Sequence, residues 1–257
     1  CRVCLVEVQG AKALVPSCVT PAAEGMTVRT NTRRVREARV YCQIEPPTIS
    51  PEAIRSMNPE GIILSGGPAS IYWKESPKVD PAVFDLGIPV LGICYGMQVM
   101  IGALGGSVER AAKREYGMAE LQISKPDILF NGVDKRTPCW MSHGDSPVRL
   151  PRGFHATAAT DNTKIAAMAD PKRKFFGLQF HPEVVHTPKG GIMLKNFLFD
   201  VCRCRPNWTM KSFAKTAVNE IRGTVGEGRV VLGLSGGVDS FVTALLIHRA
   251  VGRRLTC

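Results

Sequence analysis

Residues 86–108, LGIPVLGICYGMQVMIGALGGSV, carry no charge. A stretch of this kind must leave water, so it crosses a membrane or lies in a core. Six glycines and Pro89 interrupt it, whereas a spanning helix needs a steadier apolar run of about 20 residues. It therefore reads as a buried strand, IPVLGI (88–93), followed by a buried helix from about Gly96. Between them stands Cys94, in Gly92-Ile93-Cys94-Tyr95-Gly96. Glycine at both second neighbours suits a sharp strand-to-helix turn, where the backbone is crowded and the central side chain must project. The helix N-terminus beneath it favours a thiolate. On these residues alone, a reactive cysteine and a structural cysteine in a Gly-rich turn are equally open.

The pattern around this stretch changes along the chain. Residues 1–32 read as short strands and turns (CRVCLVEV, AKALVPSC, MTVRTNT), and RRVREAR (33–39) reads as a piece of helix. YCQI (41–44) reads as a short strand. Ser50 caps a helix with Pro51 at its first position, running to about Met57. GIILS (61–65) is expected as a buried strand ending in Gly66-Gly67-Pro68. Residues 119–180 look mostly β, through AELQIS, FHATAAT, KIAAMAD and KFFGLQF. A helix follows from Gly190 to about Val201, and RCRPNW (203–208) suits a linker. Beyond it come a helix (209–222), a strand RVVLGL (229–234), a Gly-rich turn and a helix (239–250). Strands alternating with helices indicate an α/β fold with a largely parallel sheet.

Charge and cysteine content narrow the function classes. The net charge is +11, and it divides as +4 over residues 1–40, +2 over 41–204 and +5 over 205–257. The basic residues sit in the flanks with no interleaved aromatics. That favours a solvated surface with some phosphate handling over a nucleic-acid face. Nine cysteines without a signal peptide favour cytoplasmic thiol or metal chemistry over a disulfide framework. The chain opens at Cys1 without an initiator Met and closes inside an apolar stretch, so a fragment is expected at both ends.

His181-Pro182-Glu183 follows the strand FFGLQF. A histidine just past one strand end, with its own carboxylate, and a cysteine at another strand end fit a nucleophile, a general base and an orienting group. That strand edge is where α/β sheets place their sites. Gly66-Gly67-Pro68 also ends a strand and can offer a backbone N–H to an oxyanion. The segments GIILSGGPAS, GIPVLGICYGMQ, MSHGD and GLQFHPEV, in that order, resemble the class I (triad-type, flavodoxin-like) glutamine amidotransferases. The resemblance implies that Cys94 attacks the glutamine carboxamide, His181 shuttles the proton and Glu183 orients it. It also implies an oxyanion hole from Gly67 and Tyr95, with Gln98, Ser142 and His143 along the bound glutamine.

Ser235-Gly236-Gly237-Val238-Asp239-Ser240 follows a strand and opens a helix, so its backbone N–H groups can close around an anion. It is not a Walker A loop, because no Gly-Lys-Ser/Thr follows. SGGVDS resembles the PP-loop of the ATP pyrophosphatases. An amidotransferase followed by a PP-loop resembles the glutamine-hydrolysing GMP synthases of purine biosynthesis. That resemblance runs from about Arg33 to Cys257. It implies ATP with Mg²⁺, xanthosine 5′-monophosphate (XMP) as acceptor, and a homodimer in the full-length family. Because the PP-loop segment reaches one helix past the loop, GMP synthesis is not expected of these 257 residues alone.

Cys1, Cys4 and Cys18 have a metal-ligand spacing, although three cysteines do not complete a four-thiolate site. Residues 1–32 resemble the [2Fe–2S] ferredoxin-like domain of the NADH-quinone oxidoreductase large subunit. This implies a further ligand Cys upstream. The expected organisation is thus chimeric: a partial ferredoxin-like segment (1–32), an amidotransferase domain without its first strand (33–204), and the start of a PP-loop domain (205–257). The alternatives are an iron–sulfur electron-transfer module and a glutaminase serving another acceptor. Coverage favours the GMP synthase reading over the first, and SGGVDS weakens the second.

Overall fold

The computed structural model describes residues 40–206 and 210–257 and, before these, the strand residues 5–8, 15–16 and 28–29. Strands β1 (Leu5–Val8), β2 (Val15–Pro16) and β3 (Val28–Arg29) form a small antiparallel sheet in the order β2-β1-β3. The expected helix over 33–39 lies outside the described residues. Residues 43–204 form a compact unit of their own.

That unit opens with helix α1 (Pro51–Met57), where Ser50 Oγ accepts from the Ala53 N–H at 3.2 Å and Pro51 holds the first helical position. Its sheet has seven strands. They are β4 (Ile62–Leu64), β5 (Val90–Ile93), β6 (Ser107–Ile123), β7 (Arg136–Arg149), β8 (His155–Ala159), β9 (Ala167–Asp170) and β10 (Phe175–Leu178), in the order β4-β5-β10-β9-β8-β6-β7. Only β4, β5 and β10 run parallel; the remaining four pairings are antiparallel. The expected largely parallel sheet is thus corrected to a mixed one. Crossover helices accompany the parallel strands, and short turns join the rest.

Alternation along the central strands feeds two cores. Leu91, Phe176, Leu178 and Ala169 face one side, where Met193, Phe197 and Val201 cover them. Those covering residues come from α3 (Gly190–Lys195) and the π-helical turn Asn196–Val201 that continues it. Val90, Phe175 and Met168 face the other side, against Met97, Met100 and Ile101 of α2 (Tyr95–Ala103). The uncharged stretch 86–108 is therefore the centre of a helix–sheet–helix sandwich. No helix among the described residues is long and apolar enough to cross a membrane.

Three local expectations need correction. YCQI forms no strand: residues 41–44 lack regular structure, and Ile44 is 94% exposed. The strand at 62–64 is not buried. It stands at the end of the sheet order, where no described strand covers its outer side, and Ile63 is 43% exposed. Strand 229–234 shortens to β11 (Val230–Val231), since its one partner, β12 (Leu255–Thr256), is two residues long. Helices α4 (Met210–Val225) and α5 (Val238–Val251) belong with that small parallel pair.

Candidate active site

The parallel register sets the site. Ile93 pairs with Leu178, so β5 and β10 end side by side, and Cys94 and His181 follow on the same sheet edge. The Cys94 N–H donates to Leu178 O at 2.7 Å, pinning the turn to β10. Cys94 takes φ 50° and ψ −109° at the N-cap of α2, a left-handed conformation that strains any residue with a Cβ. The flanking glycines make the turn possible. A Cβ on Gly92 would lie 2.7 Å from the Met97 backbone, and one on Gly96 would overlap the Leu64 carbonyl of β4.

The His181 imidazole and Cys94 both border Gly66, and Cys94 is the largest influence on the imidazole. Its Nδ1 lies 2.7 Å from Glu183 Oε1, and its own N–H donates to Trp140 O of β7 at 3.0 Å. The Cys94 contact first, and the Glu183 contact second, push the imidazole up to about 10 against the opposing effect of burial. His181 is therefore an imidazolium across neutral pH, set between a sulfur and a carboxylate. Gly66 lies against this pair: a Cβ on it would stand 2.9 Å from His181 Cε1 and 3.4 Å from Cys94 Cβ. The Cβ direction of Gly67 is open. The Tyr95 backbone follows Cys94 into α2, and its hydroxyl donates to Pro77 O at 2.7 Å.

The other expected residues divide. Gln98 is buried, its Nε2 donating to Asp145 O at 3.0 Å and Gln179 Oε1 at 3.2 Å. Ser142 brings its carbonyl to the site, 3.6 Å from Cys94 Sγ. The His143 ring turns into a buried cluster instead. Nδ1 lies 3.0 Å from Asp145 O, and Nε2 lies 3.6 Å from Glu115 Oε2 and 3.3 Å from Thr163 Oγ1. Burial lowers the His143 imidazole from its ordinary value, with Glu115 opposing. The Glu115 carboxylate also accepts from Thr160 Oγ1 at 2.9 Å and Thr163 Oγ1 at 2.6 Å.

Glu115, Asp145 and Gln179 were not singled out from the sequence. Parity carried a signal for the first two: Glu115 shares the inward face of β6 with Leu121 and Ile123, and Asp145 that of β7 with Cys139 and Met141. A charge on an apolar parity implies buried partners.

Apart from this unit, Ser235–Gly237 form an exposed loop, and Val238–Ser240 make the first turn of α5. Gly236 has φ 80°, and Ser235 Oγ donates to Ser240 Oγ at 3.1 Å. The loop is small-sided and opens the N-terminus of a 14-residue helix, a donor set that fits a polyphosphate. Asp239 lies in that first turn. Cys1, Cys4 and Cys18 lie outside the described residues. Among the described residues no cluster of His, Cys, Asp and Glu could hold a metal ion.

Three family models match the sequence. Glutamine amidotransferase class-I matches residues 25–201, a 2Fe-2S iron-sulfur cluster binding domain matches residues 1–33, and NAD synthase matches residues 209–256. The chain is 58% identical over 225 residues to the glutamine-hydrolyzing GMP synthase of Heliobacterium modesticaldum and 53% identical to that of Carboxydothermus hydrogenoformans. Each alignment covers 88% of this chain and 44% of the relative, so the chain spans less than half the length of these curated relatives. Among solved structures, a protein from Thermoplasma acidophilum ascribed to GMP synthase superposes with a TM-score of 0.55 at 27% identity. That match covers 63% of this chain and 80% of the other.

Proposed function

The chain belongs to the class-I glutamine amidotransferase family, and from that premise we propose that it hydrolyses glutamine at Cys94 and supplies the ammonia for a GMP synthase. The observation that carries this reading is the Cys94–His181–Glu183 arrangement at one sheet edge. In the proposed reaction, Cys94 Sγ attacks the carboxamide carbon of glutamine. The oxyanion is met by the backbone N–H groups of Gly67 and Tyr95. His181 gives its proton to the departing nitrogen, ammonia leaves, and a glutamyl thioester remains. Water then attacks the thioester as His181 takes its proton, releasing glutamate and leaving the Cys94 thiolate beside the imidazolium. Glu183 holds the imidazole in orientation throughout. Gln98, Ser142 and His143 shape the glutamine site; the part of His143 is to hold the Asp145 backbone from behind.

The second half of the reading rests on the relatives. Their names, and the NAD synthase match over the segment containing SGGVDS, support ATP binding at Ser235, Gly236, Gly237, Val238, Asp239 and Ser240. There the backbone N–H groups would hold phosphates, and bound ATP with Mg²⁺ would activate the 2-oxygen of XMP for attack by ammonia. We assign the chain to the cytoplasm, and the full-length protein to a homodimer. We also divide the sequence at about residues 32 and 204. Residues 1–32 are then a [2Fe–2S] segment in which Cys1, Cys4 and Cys18 would be ligands.

A chloroketone analogue of glutamine tests the reading. The purified chain should be alkylated at Cys94, with free glutamine protecting it. Labelling mainly at Cys42 or Cys139 in a folded sample, with Cys94 unmodified, would overturn it.

A further inference from the structure

We propose that Gln179 is a further catalytic residue, donating a hydrogen bond from its side-chain amide to the nucleophilic sulfur. The inference rests on the assignment of Cys94 as nucleophile. Gln179 is fully buried, and its Nε2 lies 3.7 Å from Cys94 Sγ, within reach for a sulfur acceptor. Its backbone N–H donates to Ala166 O at 2.9 Å, which holds the residue just past the end of β10.

Which end of the amide faces the sulfur is fixed by the surroundings. The main-chain carbonyl of Asp145 can only accept, so the atom of Gln98 that meets it at 3.0 Å must be the amide nitrogen. That same nitrogen lies 3.2 Å from the Gln179 side chain, which must therefore present its oxygen there. Gln179 is left with its NH₂ toward the sulfur. The orientation thus runs from a backbone carbonyl on β7, through Gln98 on α2, to the thiol.

The groups around the sulfur then sort by protonation state. The Ser142 carbonyl, 3.6 Å away, can accept only from the S–H form. The imidazolium of His181 and the amide of Gln179 donate only to the thiolate or to an S–H that points elsewhere. An N–H donor fixed in a water-poor position stabilises the anion without reorganising. His181 must release a proton during turnover, whereas Gln179 keeps its N–H groups throughout. It therefore supports the sulfur both before attack and when the thioester breaks down to thiolate.

The test measures iodoacetamide alkylation of the Cys94 peptide by mass spectrometry, at pH 7 and at pH 10. Gln179→Met removes the donor with little change in shape. The wild type and the variant should label alike at pH 10, where thiols ionise on their own. At pH 7 the variant should label about tenfold more slowly, the loss expected for one hydrogen bond to a charged group. A merely structural role would slow both rates together and leave their ratio unchanged. Gln179→Glu keeps the acceptor for Gln98 but sets a carboxylate against the sulfur, and should lower the pH 7 rate further. A wild-type ratio in either variant, with wild-type circular dichroism, would overturn the proposal; if Gln179→Met does not fold, Gln179→Glu decides. Iodoacetamide needs no glutamine site, so this result stands apart from glutamine hydrolysis itself.

Discussion

Cys94 sits at φ 50° and ψ −109°, a sparsely populated conformation that costs a residue with a Cβ about 1–3 kcal/mol. The turn persists because α2, β10 and the two glycines leave the backbone no alternative, and the strain aims the sulfur at His181. The raised imidazole makes this measurable. Its first cause is Cys94 and its second Glu183, so Cys94→Ala should drop the His181 titration back toward its ordinary 6.5, read by histidine NMR. An unchanged titration would show that the sulfur is not its partner. The sign for stability follows. An imidazole raised to about 10 contributes stability in full below pH 6.5 and loses it as pH rises from there through about 10. Wild type should therefore lose more stability than Cys94→Ala across that window in urea titrations at stepped pH. Gly66→Ala should cost activity with little cost in folding. Its methyl would stand 2.9 Å from His181 Cε1, and the ring can shift more readily than the backbone. A variant with wild-type glutaminase rate would contradict that geometry.

At the scale of elements, close approach and buried polarity decide stability. Gly96→Ala drives a methyl into the Leu64 carbonyl of β4, and should destabilise residues 43–204 by about 2–3 kcal/mol in urea unfolding. Glu115→Ala should cost about 3 kcal/mol, because Thr160, Thr163 and His143 lose their buried acceptor together. A change within about 0.5 kcal/mol would mean the cluster is not closed. These elements also show what the sequence made legible. Helix α1 was readable to the residue, because Ser50 and Pro51 are local signals. The strand-to-helix turn at Cys94 was readable from Gly92 and Gly96, where nearby backbone leaves no room for a Cβ. The long β6–β7 ribbon was not singled out: the charges at 113–115 and the prolines at 138 and 147 break the strand pattern of the sequence, and the register shifts between Arg110 and Glu115. Its pairing is made across the ribbon and leaves little trace in either strand alone. Gln179 was hidden for the same reason, since its partners lie 81 and 85 residues away in the chain.

For the whole molecule, the sheet edge that gathers Cys94, His181 and Gly66 belongs to a unit complete in its own core, residues 43–204. Residues 205–257, which cluster with residues 1–42 in a second unit, carry helices α4 and α5 and one short strand pair. Glutamine hydrolysis should therefore depend on the first unit. Substituting Gly237→Val in the loop should leave it within about twofold of wild type, measured as glutamate formed, while a large loss would tie the loop to the glutaminase chemistry. The most direct measurement of the central claim is ammonia release from glutamine by the purified chain and by Cys94→Ala, each normalised to folded protein by circular dichroism. The wild type should turn over glutamine and Cys94→Ala should not, with His181→Ala nearly as impaired and Glu183→Ala milder. Equal ammonia release by folded wild type and folded Cys94→Ala would contradict the account.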